Sequence, residues 1–209
     1  MSQAKKNPKY TTPKGVLSFP YLNDPDTKYV EEGVYQADLI VDADEAQPLI
    51  EQFEAQLTTF IKELEQETGK RQNRKKFRLP YEEHEEDETK IVFKVRQNAI
   101  VKGAPVSLLF YDAKGQKVTE PPQILGGSVV KIAGTSRPYV SGANKGLTLS
   151  IVAVQMIELS DGGLSNRQGS DFGFEDEEGY SADADEPPFT GEPEGFEEEE
   201  EFDDQEGDF

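Results

Sequence analysis

The chain has 209 residues and a formal net charge of -20, long enough for one domain with appendages or for two small domains. It contains no cysteine, which excludes disulfides, thiolate metal sites and cysteine nucleophiles and fits a reducing compartment. No apolar run approaches the ~20 residues of a membrane span, and the opening MSQAKKNPKY lacks the apolar core of a signal peptide, so a cytoplasmic protein is expected.

The charge is divided sharply along the chain. Residues 171–209 carry 19 of the 42 acids and no lysine or arginine, which leaves 23 acids against 22 bases in residues 1–170. One part is an electrically balanced body and the other a polyanion. The expected organisation is a flexible basic arm at 1–13, a folded domain at 14–160, a glycine- and serine-rich linker at 161–170 and a disordered acidic tail at 171–209. That tail closes on EFDDQEGDF, and a large ring at the last position of a solvated polyanion suggests a residue that something binds.

In chain order, VLSFPY at 16–21 reads as a strand whose Pro20 confines it to an edge or bulge. GVYQADLIV at 33–41 places Tyr35, Ala37, Leu39 and Val41 on one face and Gln36 and Asp38 on the other. The period then changes. Leu49, Ile50, Phe53, Leu57, Phe60, Ile61 and Leu64 share one stripe of an amphipathic helix of roughly six turns, with Asp44 and Gln47 as a capping pair, Pro48 in the first turn and Gly69 as the stop. A basic segment, KRQNRKKFRLPY, and an acidic loop holding the single histidine, His84, follow. His84 suits a surface loop better than a metal ligand or triad member.

Strands then return. KIVFKVR at 90–96 turns Ile91, Phe93 and Val95 one way and Lys94 and Arg96 the other. VSLLFYDAKGQKV is a hairpin turning at Asp112 to Gly115. SVVKIAG at 128–134 sets Val130 and Ile132 toward the core and Lys131 opposite, and LTLSIVAVQMIEL at 147–159 is apolar on both faces beyond Ile151, as in a central or bulged strand. The fold class is mainly β, α+β by content: a five-stranded OB-fold barrel with an inserted amphipathic helix, a sandwich being the alternative.

No catalytic or metal-binding constellation emerges, and no cofactor is implied. The run EEHEEDE has no ligand spacing and reads as a solvated loop; LGGS and SGANKG lack the long spacing and following helix of a phosphate loop. Rings and cations are more informative. TSRPYVSGANKG at 135–146 holds Arg137, Tyr139 and Lys145 where an OB-fold builds one wall of its oligonucleotide cleft, and LNDPDTKYVEE holds Lys28 opposite. Lys94, Arg96, Lys102 and Lys131, with Tyr21 and Tyr111, complete a candidate DNA-binding set. Cations neutralise phosphates, and a flat ring accepts any base by its face. The cluster Lys70 to Arg78 has three open readings: a phosphate track, a soluble connection, or a dock for the chain's own tail. Two rival functions stand beside strand binding, an acidic interaction protein or DNA mimic that never touches nucleic acid, and a carboxylate-dependent nuclease.

The order of parts resembles the single-stranded DNA-binding proteins of T-odd bacteriophages. The likeness rests on GVYQADL, the inserted helix, FYDAKGQKVTEPPQILGGSVVKI leading into RPYV, LTLSIVAVQMIEL and the terminal EGDF. It implies an OB-fold, no enzymatic activity, coating of single-stranded DNA in replication, recombination and repair, and assistance to annealing in the cytoplasm of the infected bacterial host. It makes Tyr139 the stacking tyrosine and Glu206, Asp208 and Phe209 the end of a tail that contacts the phage DNA polymerase and helicase-primase. A homodimer is a further state to consider, although no motif encodes it. As a flexible coil of 39 residues the tail would reach roughly 35 Å, far enough to compete with DNA for the cleft.

Overall fold

The computed structural model describes residues 7 to 162, together with Gly173 and Glu175. The chain divides into two units, Met1–Asn166 and Arg167–Phe209; the fold below is that of the first. The expected disorder of the acidic tail, most of the linker and residues 1–6 of the arm lies outside the described residues.

Twelve strands and one α-helix follow one another as β1 (Lys9–Thr11), β2 (Gly15–Asp26), β3 (Val34–Asp42), α1 (Ala43–Thr68), β4 (Phe77–Arg78), β5 (Tyr81–Glu83), β6 (Lys90–Asn98), β7 (Ile100–Val101), β8 (Ala104–Pro105), β9 (Leu109–Tyr111), β10 (Lys117–Val118), β11 (Val129–Ser141) and β12 (Asn144–Glu158). A single turn of 3-10 helix, Arg74–Lys76, leads into β4. The long strands pair in the order β2–β3–β6–β12–β11, and β11 returns to β2 through Val129 opposite Val16 and Val130 opposite Gly15. This closed ring is the expected five-stranded barrel, with β6 and β12 as its one parallel seam, at Leu149 beside Val95. Closure leaves no free edges to the ring and excludes a sandwich.

Alternation along the strands fills the interior. Leu17, Leu39, Phe93, Val95, Val130, Ile132, Leu149 and Ile151 are buried, while their neighbours Asp38, Lys94, Arg96 and Lys131 face outward. β12 is central and bulged, as its two apolar faces suggest: Ala133 opposes Ala153 but Gly134 opposes Ile151, leaving Val152 as an extra residue.

The helix carries the expected stripe. Leu49, Phe53 and Leu57 are buried, and Ile50, Phe60, Ile61 and Leu64 pack at their margin. Phe53 is wholly enclosed, its ring edge-on to Tyr10 at 5.9 Å and to Phe93 at 6.3 Å between centroids, so the helix seals the barrel interior. Gly69 ends the helix in the left-handed conformation, φ 66°, with its N–H on the Glu65 carbonyl. The start differs from expectation. Asp42 is the N-cap residue and makes no side-chain capping bond, because its carboxylate is held by Lys90; Asp44 and Glu45 sit inside the first turn, where their charge complements the helix dipole. The Asp44–Gln47 capping pair is therefore absent, and Gln47 bonds Glu51 instead.

Part of the segment read as a basic arm is also structured. Lys9, Tyr10 and Thr11 pair with Thr135, Gly134 and Ala133, and Thr12 exchanges hydrogen bonds with Ile132. The reason is Tyr10, whose buried ring adds to the core and whose hydroxyl donates to the Ser150 carbonyl. Basic composition hid one apolar anchor.

Phe53→Ala is expected to lower the unfolding free energy by ~3–5 kcal/mol, because it removes a large ring from a site ringed by other rings. Urea denaturation checks this, and a loss under ~1 kcal/mol would show that the helix does not seal the core.

Candidate nucleic-acid interface

One outer face of the ring is hollowed into a groove of about 810 Å³. Its walls come from β6 and the β7–β8 hairpin (Lys94, Arg96, Lys102), from β11 and β12 (Thr135, Arg137, Tyr139, Thr148, Ser150), and from the end of the basic segment (Arg78, Leu79, Pro80). Five cations line it and no carboxylate does, in a body whose acids and bases are almost equal in number. Among the described residues no salt bridge ties up Arg78, Arg96, Lys102 or Arg137.

Strand periodicity explains the grouping. Thr135, Arg137, Tyr139 and Ser141 are alternate residues of β11 and share its outer face, as Lys94, Arg96 and Asn98 share that of β6. Pairing across β12 sets Arg137 opposite Thr148 and Thr135 opposite Ser150. The segment around RPYV, expected as a loop, is strand: β11 runs to Ser141 and turns through Gly142 and Ala143 into β12. Tyr139 is thus half-buried and held by a ladder, which fixes its ring better than a loop would.

Arg78, the last cation of the Lys70 to Arg78 cluster, also lines the groove, and two local devices deliver it. β4 runs parallel to β12, with Phe77 beside Lys145 and Arg78 beside Gly146. A Cβ on Gly146 would come within 2.0 Å of the Arg78 carbonyl oxygen, so only glycine allows this approach. Further up the segment, Glu54 of the helix accepts from Arg74 and from the Tyr81 hydroxyl. Partial burial works against the Glu54 charge, but these two donors outweigh it and hold the carboxyl below its ordinary range. The basic cluster is therefore pinned to helix and barrel, and only Arg78 of it reaches the groove.

The other expected residues lie elsewhere. Lys145 points its ammonium over the Phe77 ring at 4.8 Å and donates to Gln72, which occupies it outside the groove lining. Lys28 hangs over Tyr29 at 5.2 Å in the connection after β2. Lys131 and Tyr111 stand on a separate row of the barrel surface, each in register with Gln155. Tyr21 faces outward on β2 opposite Gln36, which separates it by one strand from the groove's Arg96. Glu206, Asp208 and Phe209 lie outside the described residues. His84 is a turn residue whose Nδ1 accepts from the Glu86 N–H, and among the described residues no acidic or histidine cluster could hold a metal. No helix among them is long and apolar enough to cross a membrane.

A closed five-stranded ring with a cationic, aromatic groove and no catalytic cluster among its described residues defines a strand-binding protein of the oligonucleotide-binding barrel class. The sequence matches the family of the single-stranded DNA-binding protein of bacteriophage T7 over residues 15–159, and the chain belongs to that family, whose members are binding proteins rather than enzymes. Among solved structures it is similar to gp2.5, the single-stranded DNA-binding protein of bacteriophage T7, with 20% identity, a TM-score of 0.62, and coverage of 77% of this chain and 97% of that one. It is also similar to the single-stranded DNA-binding protein of bacteriophage Enc34, at 15% identity, TM-score 0.56 and coverage of 79% and 90%. The same Enc34 protein in complex with single-stranded DNA gives 14% identity, TM-score 0.56 and coverage of 73% and 88%. At these identities the likeness establishes the fold. No curated protein matches the sequence.

Two carboxylates flank the groove's edge. Lys94 is bonded to Glu82 at 2.7 Å, an interaction that keeps its ammonium firmly protonated. Asp38 stands opposite Lys94 in the β3–β6 ladder; burial raises its pKa above the ordinary 3.8, Lys94 opposes the rise and Glu82 adds to it. Between pH 3.8 and the raised folded value the folded state therefore holds a proton that the unfolded chain releases, and stability from this group is complete below pH 3.8 and lost as pH rises through the folded value. Asp38→Asn is expected to be more stable than the parent at neutral pH, with the difference vanishing below pH ~4. Urea titrations across that range test it, and a difference independent of pH would exclude titration of Asp38 as its cause.

Proposed function

We propose that the groove binds single-stranded DNA without strong sequence preference, and that the chain thereby serves phage DNA replication and recombination in the cytoplasm of the infected host. Bound strands are shielded and kept open for annealing. The observation that carries this reading is the groove itself, five cations without a carboxylate beside a half-buried tyrosine, cut into an otherwise balanced body. Cations track a phosphate backbone and the ring stacks on bases irrespective of identity. The complex of the Enc34 protein with single-stranded DNA supports the same ligand class. A DNA mimic or purely acidic interaction protein would have no use for such a surface.

The acidic segment 171–209 completes the proposal. Its 19 carboxylates mimic phosphates and compete for the groove at the high effective concentration that tethering supplies. DNA displaces it, and its end, Glu206, Asp208 and Phe209, then engages basic surfaces of the phage DNA polymerase and helicase-primase. Phe209 supplies the apolar anchor that charge lacks.

Salt titration of oligonucleotide binding tests both halves. Log affinity should fall against log salt with a slope of ~0.7 per neutralised phosphate. Tyr139→Ala is expected to weaken binding by ~1–3 kcal/mol with the slope unchanged, whereas Arg96→Ala flattens the slope by ~0.7. Identical slopes in the two variants would refute the assigned roles. Deleting 171–209 should tighten binding at low salt, and unchanged affinity would remove the competition from the mechanism while leaving the groove intact.

A further inference from the structure

Phe19 is placed in a way the barrel does not require. Ser18 opposes Asp38 and Tyr21 opposes Gln36, so Phe19 and Pro20 together face the single residue Ala37: a bulge. Its first residue takes the left-handed conformation, φ 47° at Phe19, where glycine is the usual occupant. The ring it turns outward is 80% exposed, and no described aromatic residue packs against it. Strained backbone and wetted ring are two penalties with no return in packing. A glycine at 19 would escape both. Such a combination points to a ligand.

The ring overlooks a second hollow of about 370 Å³, lined by Phe19, Gln36, Asp38, Lys94 and Arg96 with the edges of Ala37 and Val95. Lys94 and Arg96 also line the main groove, so the two hollows meet at a shared cationic ridge. We propose that Phe19 is a base-stacking platform, and that this hollow is a second subsite which receives an unpaired nucleobase from the strand running through the Tyr139 groove. The inference rests on the strand-binding reading above. Phosphates lie along the Lys94–Arg96 ridge, where charge attracts them. The Asp38 carboxylate turns them away from the hollow, which therefore takes a base rather than backbone. The side chain of Gln36, held by donation to Asp26, leaves an amide oxygen for a base N–H. The bulge is the device that aims the ring.

The chain has no tryptophan, so Phe19→Trp introduces a single reporter at the proposed platform. Its emission is expected to be quenched at saturation by a long thymidylate oligonucleotide. Phe19→Leu, which keeps apolar bulk without a ring, should bind that oligonucleotide roughly 5- to 100-fold more weakly, yet bind a tetranucleotide that fills only the Tyr139 groove as well as the parent does. Phe19→Gly relieves the strained backbone, and is expected to melt no lower than the parent while binding the long oligonucleotide more weakly. Unquenched emission with parental affinity in Phe19→Leu would overturn the platform, and so would a Phe19→Gly variant whose weaker binding tracks a lower melting temperature. Loss in Arg96→Ala with none at position 19 rejects the second subsite alone. An unaltered chain that binds neither oligonucleotide rejects the groove itself.

Discussion

The two-sided pairing of β12 is the constraint on which the groove depends. This strand bonds antiparallel to β11 along nearly its whole length and parallel to β6 beside Val95, and the second contact closes the ring. Closure brings strands distant in sequence to adjacent positions, so that Arg96 of one hairpin and Arg137 of another line the same hollow. The interior must be filled for the ring to persist, and Phe53 does so from α1, inserted between β3 and the strands that return after it. Binding chemistry on the outside thus rests on apolar packing inside, through side chains that alternate along the same strands.

Electrostatic selection is local. A body with 23 acids and 22 bases within residues 1–170 has no net field to draw a polyanion, yet its groove presents cations alone. Within a Debye length of ~8 Å at physiological salt, the charges lining a cleft outweigh those on the far side of the barrel. Strand pairing achieves this sorting: the outer face of β6 supplies Lys94 and Arg96 and that of β11 supplies Arg137, while the acids of Glu82 to Glu88 and of the helix lie on other elements.

Much of this was legible in the sequence where periodicity was strong. The period-two pattern of 33–41 and 90–96 and the helical stripe from Leu49 to Leu64 gave the elements and their buried faces, and five strands with an inserted helix suggested the barrel. Lys94, Arg96, Lys102, Arg137 and Tyr139 line one groove. Tertiary pairing hid the rest. Arg78 enters the groove because β4 lies against Gly146, a contact between residues 68 positions apart in the chain; a two-residue strand has no periodicity to read. Lys145 looked available in its loop but lies over Phe77 through that same pairing. Phe19 was read only as part of a strand beside Pro20, because a bulge is a property of register with a neighbour and not of composition.

The groove's edge also bears on reversibility. A protein that binds single strands must also release them, and five cations without opposition would hold too firmly at low salt. Lys94 is already engaged by Glu82 and faced by Asp38, so a phosphate arriving there exchanges one anionic partner for another rather than meeting a bare charge. Exchange of this kind leaves position and counterion release largely intact while reducing the net gain. Stacking on Tyr139, as proposed above, would in contrast be insensitive to salt. On that proposal affinity divides into a part that salt and acidic competitors can remove and a part that they cannot, and the proposed competition by the acidic segment would act through the first part.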